Sequence, residues 1–177
     1  AGLPLTDNDE NPRYLSGSPQ GDTIDGRGSN DVIDGYRGDD RIAGGSGWDG
    51  LTGGEGDDTY VFAPGFGKSD AGGSGRDTID EDLGEGVDTI SFTGGIAPGD
   101  LSLWTDSAEN LWIEYDGDPN SRIELLGGGL ARDPDSGAFI GVDVGQRIER
   151  VSFDDGTVWD LRDGLPLTDN DENHRYI

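Results

Sequence analysis

"GGSGWDGLTGGEGDDTYV", residues 44–61, is a nine-residue unit followed at once by a second. Each unit opens with Gly-Gly, carries Gly at position 4 and Asp at position 6, and puts Leu51 or Tyr60 at position 8. The same clock runs back towards the N-terminus through GSPQGDTID (17–25), GRGSNDVID (26–34) and GYRGDDRIA (35–43). Position 6 is then Asp22, Asp31, Asp40, Asp49 and Asp58, and position 8 is Ile24, Ile33, Ile42, Leu51 and Tyr60. FAPGFGKSDA (62–71) reads as a degenerate ten-residue unit. GGSGRDTID (72–80) and LGEGVDTIS (83–91) restore the pattern with Asp77 and Asp88.

Nine residues divide into a tight Gly-rich turn and a short strand. Gly allows positive φ and close backbone approach in the turn. Side chains alternate faces along the strand, so one apolar residue per unit points inward. Two units make an 18-residue coil, and successive coils stack at about 4.8 Å. Position-6 carboxylates of stacked turns then lie within a few ångströms of one another. That arrangement is repulsive until a cation joins it. Ca²⁺ accepts six or more oxygens, and carboxylates with turn carbonyls supply them. The competing reading, a solvated acidic surface, suits scattered aspartates better than five held in register.

Composition agrees with a cation-dependent chain. Thirty-eight acidic residues outnumber twelve basic ones, for a formal charge of −26, which repels nucleic acid and anionic lipid. Only 31% of residues are apolar, too few to offset chain entropy unaided. Cys is absent, which excludes disulfides and thiolate metal sites. No apolar run approaches the roughly 20 residues that span a bilayer, so membrane insertion is not expected.

The repeats resemble the RTX (repeats-in-toxin) haemolysin-type calcium-binding family, whose unit is G-G-x-G-x-D-x-U-x, where U is a large apolar residue. The resemblance covers residues 17–61 and, more loosely, 72–91. Ser18, Gln20, Arg27, Ser29 and Tyr36 depart from its glycines. It implies an all-β fold: a parallel β-roll over residues 16–92. It also implies Ca²⁺ ligands, namely Asp22, Asp31, Asp40, Asp49, Asp58, Asp77 and Asp88, with carbonyls of Gly35, Gly38, Gly44, Gly45, Gly47, Gly53, Gly54 and Gly56. Spacing assigns Asp22, Asp40, Asp58 and Asp77 to one edge, and Asp31, Asp49 and Asp88 to the other. About four Ca²⁺ are expected, with six as a ceiling.

After residue 92 the clock stops. DLSLW (100–104), NLWIEY (110–115), RIELL (122–126), IERVSF (148–153) and TVWDL (157–161) alternate apolar and polar residues, as antiparallel strands do. Asp155-Gly156 signals a two-residue hairpin turn. Residues 93–162 therefore read as a mainly antiparallel β capping module, similar to the domain that follows such repeats in haemolysin-type proteins. Trp104, Trp112 and Trp159 are candidate core or cap residues, with sugar stacking as the alternative.

Other motifs fail on inspection. Gly67-Lys68-Ser69 mimics a phosphate loop, but Phe62 stands where its first Gly belongs. Asp7-Asn-Asp9-Glu-Asn11 and Asp116-Gly-Asp118-Pro-Asn120 begin like EF-hand loops, yet their twelfth positions are Ser18 and Gly127. The one His, His174, has no catalytic partner. No nucleophile–base constellation appears, so the chain reads as a non-enzyme.

GLPLTDNDENPRYL (2–15) returns as GLPLTDNDENHRYI (164–177), identical at twelve of fourteen positions. This suggests one unit of a tandem array, with a pair of end caps within one domain as the alternative. On the array view 1–15 is an inter-unit linker, 163–177 begins the next unit, and SGSPQGDTIDG-like sequence follows Ile177. The expected role is a calcium-binding structural module of a large secreted or bacterial cell-surface RTX protein. It would be adhesin-like, exported by type I secretion and folded on Ca²⁺, with neighbouring units as partners. Alternatives are a carbohydrate or surface-binding module, or an accessory domain of a secreted RTX enzyme.

Overall fold

The computed structural model describes residues 2, 4–6, 13–68, 75–81, 86–105, 110–118, 120–126, 129–132, 139–143 and 148–163. Two seven-stranded sheets face each other across one apolar core. The first runs β1 (Pro4–Thr6), β3 (Thr23–Asp25), β5 (Arg41–Ala43), β7 (Thr59–Phe62), β9 (Thr89–Phe92), β15 (Arg150–Phe153), β16 (Val158–Asp160). The second runs β2 (Tyr14–Ser16), β4 (Val32–Arg37), β6 (Gly50–Glu55), β8 (Asp77–Ile79), β12 (Arg122–Leu125), β11 (Leu111–Tyr115), β10 (Leu101–Thr105). A separate hairpin joins β13 (Gly129–Arg132) to β14 (Phe139–Asp143).

Successive repeats alternate between the sheets, and each strand pairs in parallel with the strand one coil later. The register is 18 residues in β3–β5, β5–β7 and β4–β6. This is a parallel β-roll. Position 8 points inward throughout: Ile24, Ile33, Ile42, Leu51 and Tyr60 are all buried.

The roll continues into the second half without a break in either sheet. β8 pairs in parallel with β12, and β9 with β15. Beyond those joins the pairing is antiparallel, through β12–β11–β10 and β15–β16. The alternation read from sequence holds there. Leu101, Leu103, Leu111, Ile113, Ile123 and Leu125 are buried, and Trp159 packs edge-on against Phe153 at 4.8 Å. Trp104 and Trp112 lie on the outer face, stacked at 5.1 Å, with the Arg76 guanidinium 5.4 Å from the Trp112 ring.

Four expectations need correction. First, the stretch read as a degenerate unit at 62–71 forms a turn rather than a coil: among its described residues, 62–68, no strand follows β7. The chain leaves β7 and turns through Pro64–Gly67, with Gly65 and Gly67 at φ 102° and 63°. Phe66, packed 5.2 Å from Phe62, anchors this turn in the core. Ser69 and Asp70 lie outside the described residues. Second, losing one strand reverses the parity of everything downstream. β8 joins β6 and β9 joins β7, so Asp77 belongs with Asp31 and Asp49, and Asp88 with Asp22, Asp40 and Asp58. Third, the β15–β16 hairpin has three loop residues, since Phe153 N–H donates to the Thr157 carbonyl and Gly156 adopts φ 86°. An αL glycine closing a three-residue loop is a common solution to strand twist. Fourth, the stretch read as an N-terminal linker supplies strands of the roll: β1 pairs with β3, and β2 with β4. Residues 7–12 and 164–177, including His174, lie outside the described residues.

Candidate metal centre

The turns are held by ladders of carboxylates and main-chain amides. Along one edge Asp22 N–H donates to Asp40 Oδ1 (2.6 Å), Asp40 N–H to Asp58 Oδ1 (2.7 Å) and Asp58 N–H to Asp88 Oδ1 (2.8 Å). Asp88 N–H then donates to Glu149 Oε2 (2.7 Å). Along the other edge Arg13 N–H donates to Asp31 Oδ1 (2.9 Å), Asp31 N–H to Asp49 Oδ1 (2.8 Å) and Asp49 N–H to Asp77 Oδ1 (3.1 Å). One oxygen of each aspartate from Asp31 onward thus accepts a main-chain amide of the neighbouring coil.

The second oxygen is the informative one. Oδ2 of Asp40, Asp49, Asp58 and Asp77 is buried and accepts no hydrogen bond from the protein. Burying an ionised group without a partner costs several kcal/mol. The acidities respond. Burial, reinforced by neighbouring carboxylates and opposed by the ladder amides, pushes Asp40 up to about 6 and Asp49 and Asp58 up to about 7. Asp77 is driven well above the usual carboxylate range, again chiefly by burial.

These oxygens face a cradle. A Cβ on Gly26 would fall 2.8 Å from Asp31 Oδ2 and 2.6 Å from the Gly44 carbonyl. A Cβ on Gly35 would meet Asp40 Oδ2 and, at 2.7 Å, the Gly53 carbonyl. Carboxylate and carbonyl oxygens from consecutive coils converge there on space that only a glycine leaves open. Hard oxygen donors of this kind suit Ca²⁺, so the residues present fit the ion. Among the described residues no three acidic or imidazole side chains converge. The cradle at each turn is lined instead by carboxylate and main-chain carbonyl oxygens.

Of the glycines expected as ligands, Gly35, Gly44 and Gly53 place carbonyls beside carboxylate-bearing turns. A Cβ on Gly38, Gly45, Gly47, Gly54 or Gly56 would meet backbone of the adjacent turn, and all five have positive φ. Lacking a Cβ, they let the turns stack closely. Arg27, Ser29 and Tyr36 hold the equivalent left-handed conformation without being glycine, at φ 64°, 78° and 81°. The first turn differs: Ser18 N–H donates to Asp22 Oδ2 at 2.6 Å, so that oxygen is already engaged.

The sequence did not single out Glu81 or Glu149. Glu149 is the last rung of its ladder, 61 residues from Asp88, and no motif spans that gap. Glu81 accepts Gly53 N–H at 2.6 Å. Asp118 accepts from Asn120 N–H (3.0 Å) and pairs with Lys68 (3.2 Å), and Asp116 accepts from Ser102. The EF-hand-like stretch is thus a satisfied turn. The ring of Trp112 is engaged by Trp104 and Arg76.

A parallel roll with glycine turns and stacked acidic ladders defines a class of calcium-binding repeat module. Residues 14–42 and 25–60 match the model of the RTX calcium-binding nonapeptide repeat, and this segment carries RTX repeats. The match is to a structural repeat, not to a catalytic family. No curated protein matches the chain. Among solved structures, the chain is similar to the AlgE6R3 subunit of the Azotobacter vinelandii mannuronan C5-epimerase, at 27% identity and a TM-score of 0.49. That likeness covers 68% of this chain and 74% of the other. No helix among the described residues is long and apolar enough to cross a membrane.

Proposed function

We propose that this chain is a non-catalytic, calcium-folded structural module of a larger secreted or surface protein, adhesin-like, with neighbouring tandem units as its partners. The observation that carries the reading is the set of buried, unpartnered Oδ2 atoms of Asp40, Asp49, Asp58 and Asp77. A folded roll that needs divalent cations is unfavourable in a calcium-poor cytosol. It becomes favourable in the millimolar Ca²⁺ outside the cell, because binding energy adds directly to folding energy. The ligands would be the seven ladder aspartates with the turn carbonyls. Each Ca²⁺ would neutralise two of the 26 net negative charges, and about four ions, at most six, fit the count of turns.

The experiment is a Ca²⁺ titration followed by far-ultraviolet circular dichroism, beside a Mg²⁺ titration and a chelator control. Ca²⁺ should raise β signal cooperatively in the roughly 10⁻⁴–10⁻³ M range of extracellular modules. Mg²⁺, which demands tighter octahedral geometry, should substitute poorly. A spectrum unchanged by excess chelator would overturn the reading.

A further inference from the structure

We propose that Glu81 is a cation ligand outside the repeat motif, and that with Asp58 it makes the turn at residues 53–58 the most strongly charged and first-filled site of the roll. The inference rests on the calcium reading above and adds a residue to it.

Register locates Glu81. Gly50 pairs with Thr78 and Leu51 with Ile79, so continuing outward sets Glu81 opposite Gly53, the first residue of the last complete turn. In earlier coils that opposite position is itself a glycine, which offers a carbonyl: Gly35 opposite Gly17, Gly44 opposite Gly26, Gly53 opposite Gly35. Here the chain offers a carboxylate. The main-chain bonding changes accordingly. Gly17 N–H donates to the Asp34 carbonyl (2.7 Å) and Gly26 N–H to the Ala43 carbonyl (2.8 Å). Gly53 N–H donates instead to Glu81 Oε1, at 2.6 Å.

A second observation meets it at the same glycine. Asp58 Oδ2 lies where a Cβ on Gly53 would point. It is buried in a residue only 1% exposed, and accepts no hydrogen bond from the protein. Glu81 is itself only 2% exposed. Two acidic side chains, nearly excluded from water, therefore flank one glycine from its N–H and Cα sides. Burying two anions against one glycine is unfavourable unless a cation lies between or beside them. Calcium affinity in oxygen sites rises with the number of charged ligands. Two carboxylates here, against one opposite a carbonyl in earlier turns, put this site first in order of filling.

Glu81→Gln is the discriminating variant. It keeps the length of the side chain and the acceptor for Gly53 N–H while deleting the charge. The full chain would be titrated with Ca²⁺ by isothermal calorimetry, with bound ions counted by native mass spectrometry. We expect E81Q to weaken the tightest binding step at least tenfold, or to bind one ion fewer. In chelator, E81Q should be as resistant to denaturant as the native chain or more so, because a buried charge is gone. A group that merely capped Gly53 would leave calcium binding unchanged in E81Q, and that result overturns the proposal. Should E81Q fail to fold in Ca²⁺, Glu81→Asp decides. A full ion count in E81D, which keeps the charge, supports the ligand role, and a failure of both variants shows a requirement for shape and overturns it. Absence of any bound Ca²⁺ in the native chain would instead sink the calcium reading beneath it.

Discussion

Two parts of the same sheet are built differently. β5 buries one large side chain, Ile42, and its neighbour β3 buries one, Ile24. β7, β9 and β15, further along that sheet, each bury two: Tyr60 with Phe62, Ile90 with Phe92, and Val151 with Phe153. Those residues are in register across the three strands. The second row forms an aromatic seam, with Phe62–Phe92 at 6.0 Å, Phe92–Phe153 stacked at 5.6 Å and Phe66 against both Phe62 and Phe92. The early coils thus hold a core one side chain deep between acidic ladders, while the later strands hold an ordinary apolar core. On the calcium reading proposed above, the first part depends on cations to balance its charge. The second is stabilised mainly by burial, at about 25 cal/mol per Å² of apolar surface.

The largest consequence is a graded response to calcium removal. In excess chelator, hydrogen exchange should open the amides of β3–β6 first. Those of β9, β12 and β15 should remain protected longer. Uniform loss of protection would show that the two parts form one cooperative unit and break the contrast.

Single ladder residues should divide in the same way. Asp40 has a buried oxygen facing the cradle, whereas Asp118 is satisfied by Asn120 and Lys68. Asp40→Ala should raise the Ca²⁺ midpoint of folding several-fold more than Asp118→Ala. Equal shifts would remove the ladder from the account.

Glu149 is where the later part grips the earlier one. Glu149→Ala leaves the buried Asp88 N–H without its acceptor and should cost about 1–3 kcal/mol in calcium. Glu149→Gln, which keeps an acceptor oxygen, should recover most of that in a denaturant melt. An alanine variant as stable as the native chain would make this rung incidental.

Acidity offers a further probe. Asp40, Asp49 and Asp58 have folded values raised from about 4 to about 6 or 7. Between those limits the folded state holds more protons than the unfolded chain, so calcium-free stability falls as pH rises through this window. In chelator the roll should be more structured at pH 5 than at pH 8. With calcium present, protons compete for the same oxygens, and the Ca²⁺ midpoint should rise as pH drops below 7. Circular dichroism at both pH values checks each sign, and a chelator spectrum independent of pH would contradict the buried-carboxylate account.

The smallest effect lies in the turns. Tyr36 adopts φ 81° where the next coil has Gly54 at φ 98°. A left-handed conformation costs a residue with a Cβ about 1–2 kcal/mol, partly offset by the greater entropy glycine loses on folding. Tyr36→Gly should therefore stabilise the calcium-bound roll by up to about 1 kcal/mol. Gly54→Ala should destabilise it by more, since the new Cβ would meet the Tyr36 carbonyl. Thermal melts of the pair test whether repeat consensus and stability run together.

The nine-residue clock alone determined the roll. Its period fixed the 18-residue register, the inward set from Ile24 to Tyr60, and the stacking of Asp22 on Asp40 on Asp58 and of Asp31 on Asp49. All of these follow from local turn geometry and strand alternation, which are written in consecutive residues. Beyond residue 61 the strand alternation was still legible, but which edge each turn joined was decided by tertiary structure. Whether FAPGFGK (62–68) made a strand or a turn depended on Phe66 finding the core beside Phe62, and that outcome moved Asp77 and Asp88 to opposite edges from those the spacing implied. Glu81 and Glu149 entered the acidic edges through pairings 28 and 61 residues long. No local pattern marks them, because a carboxylate becomes a rung only when another coil, folded elsewhere in the chain, presents its amide.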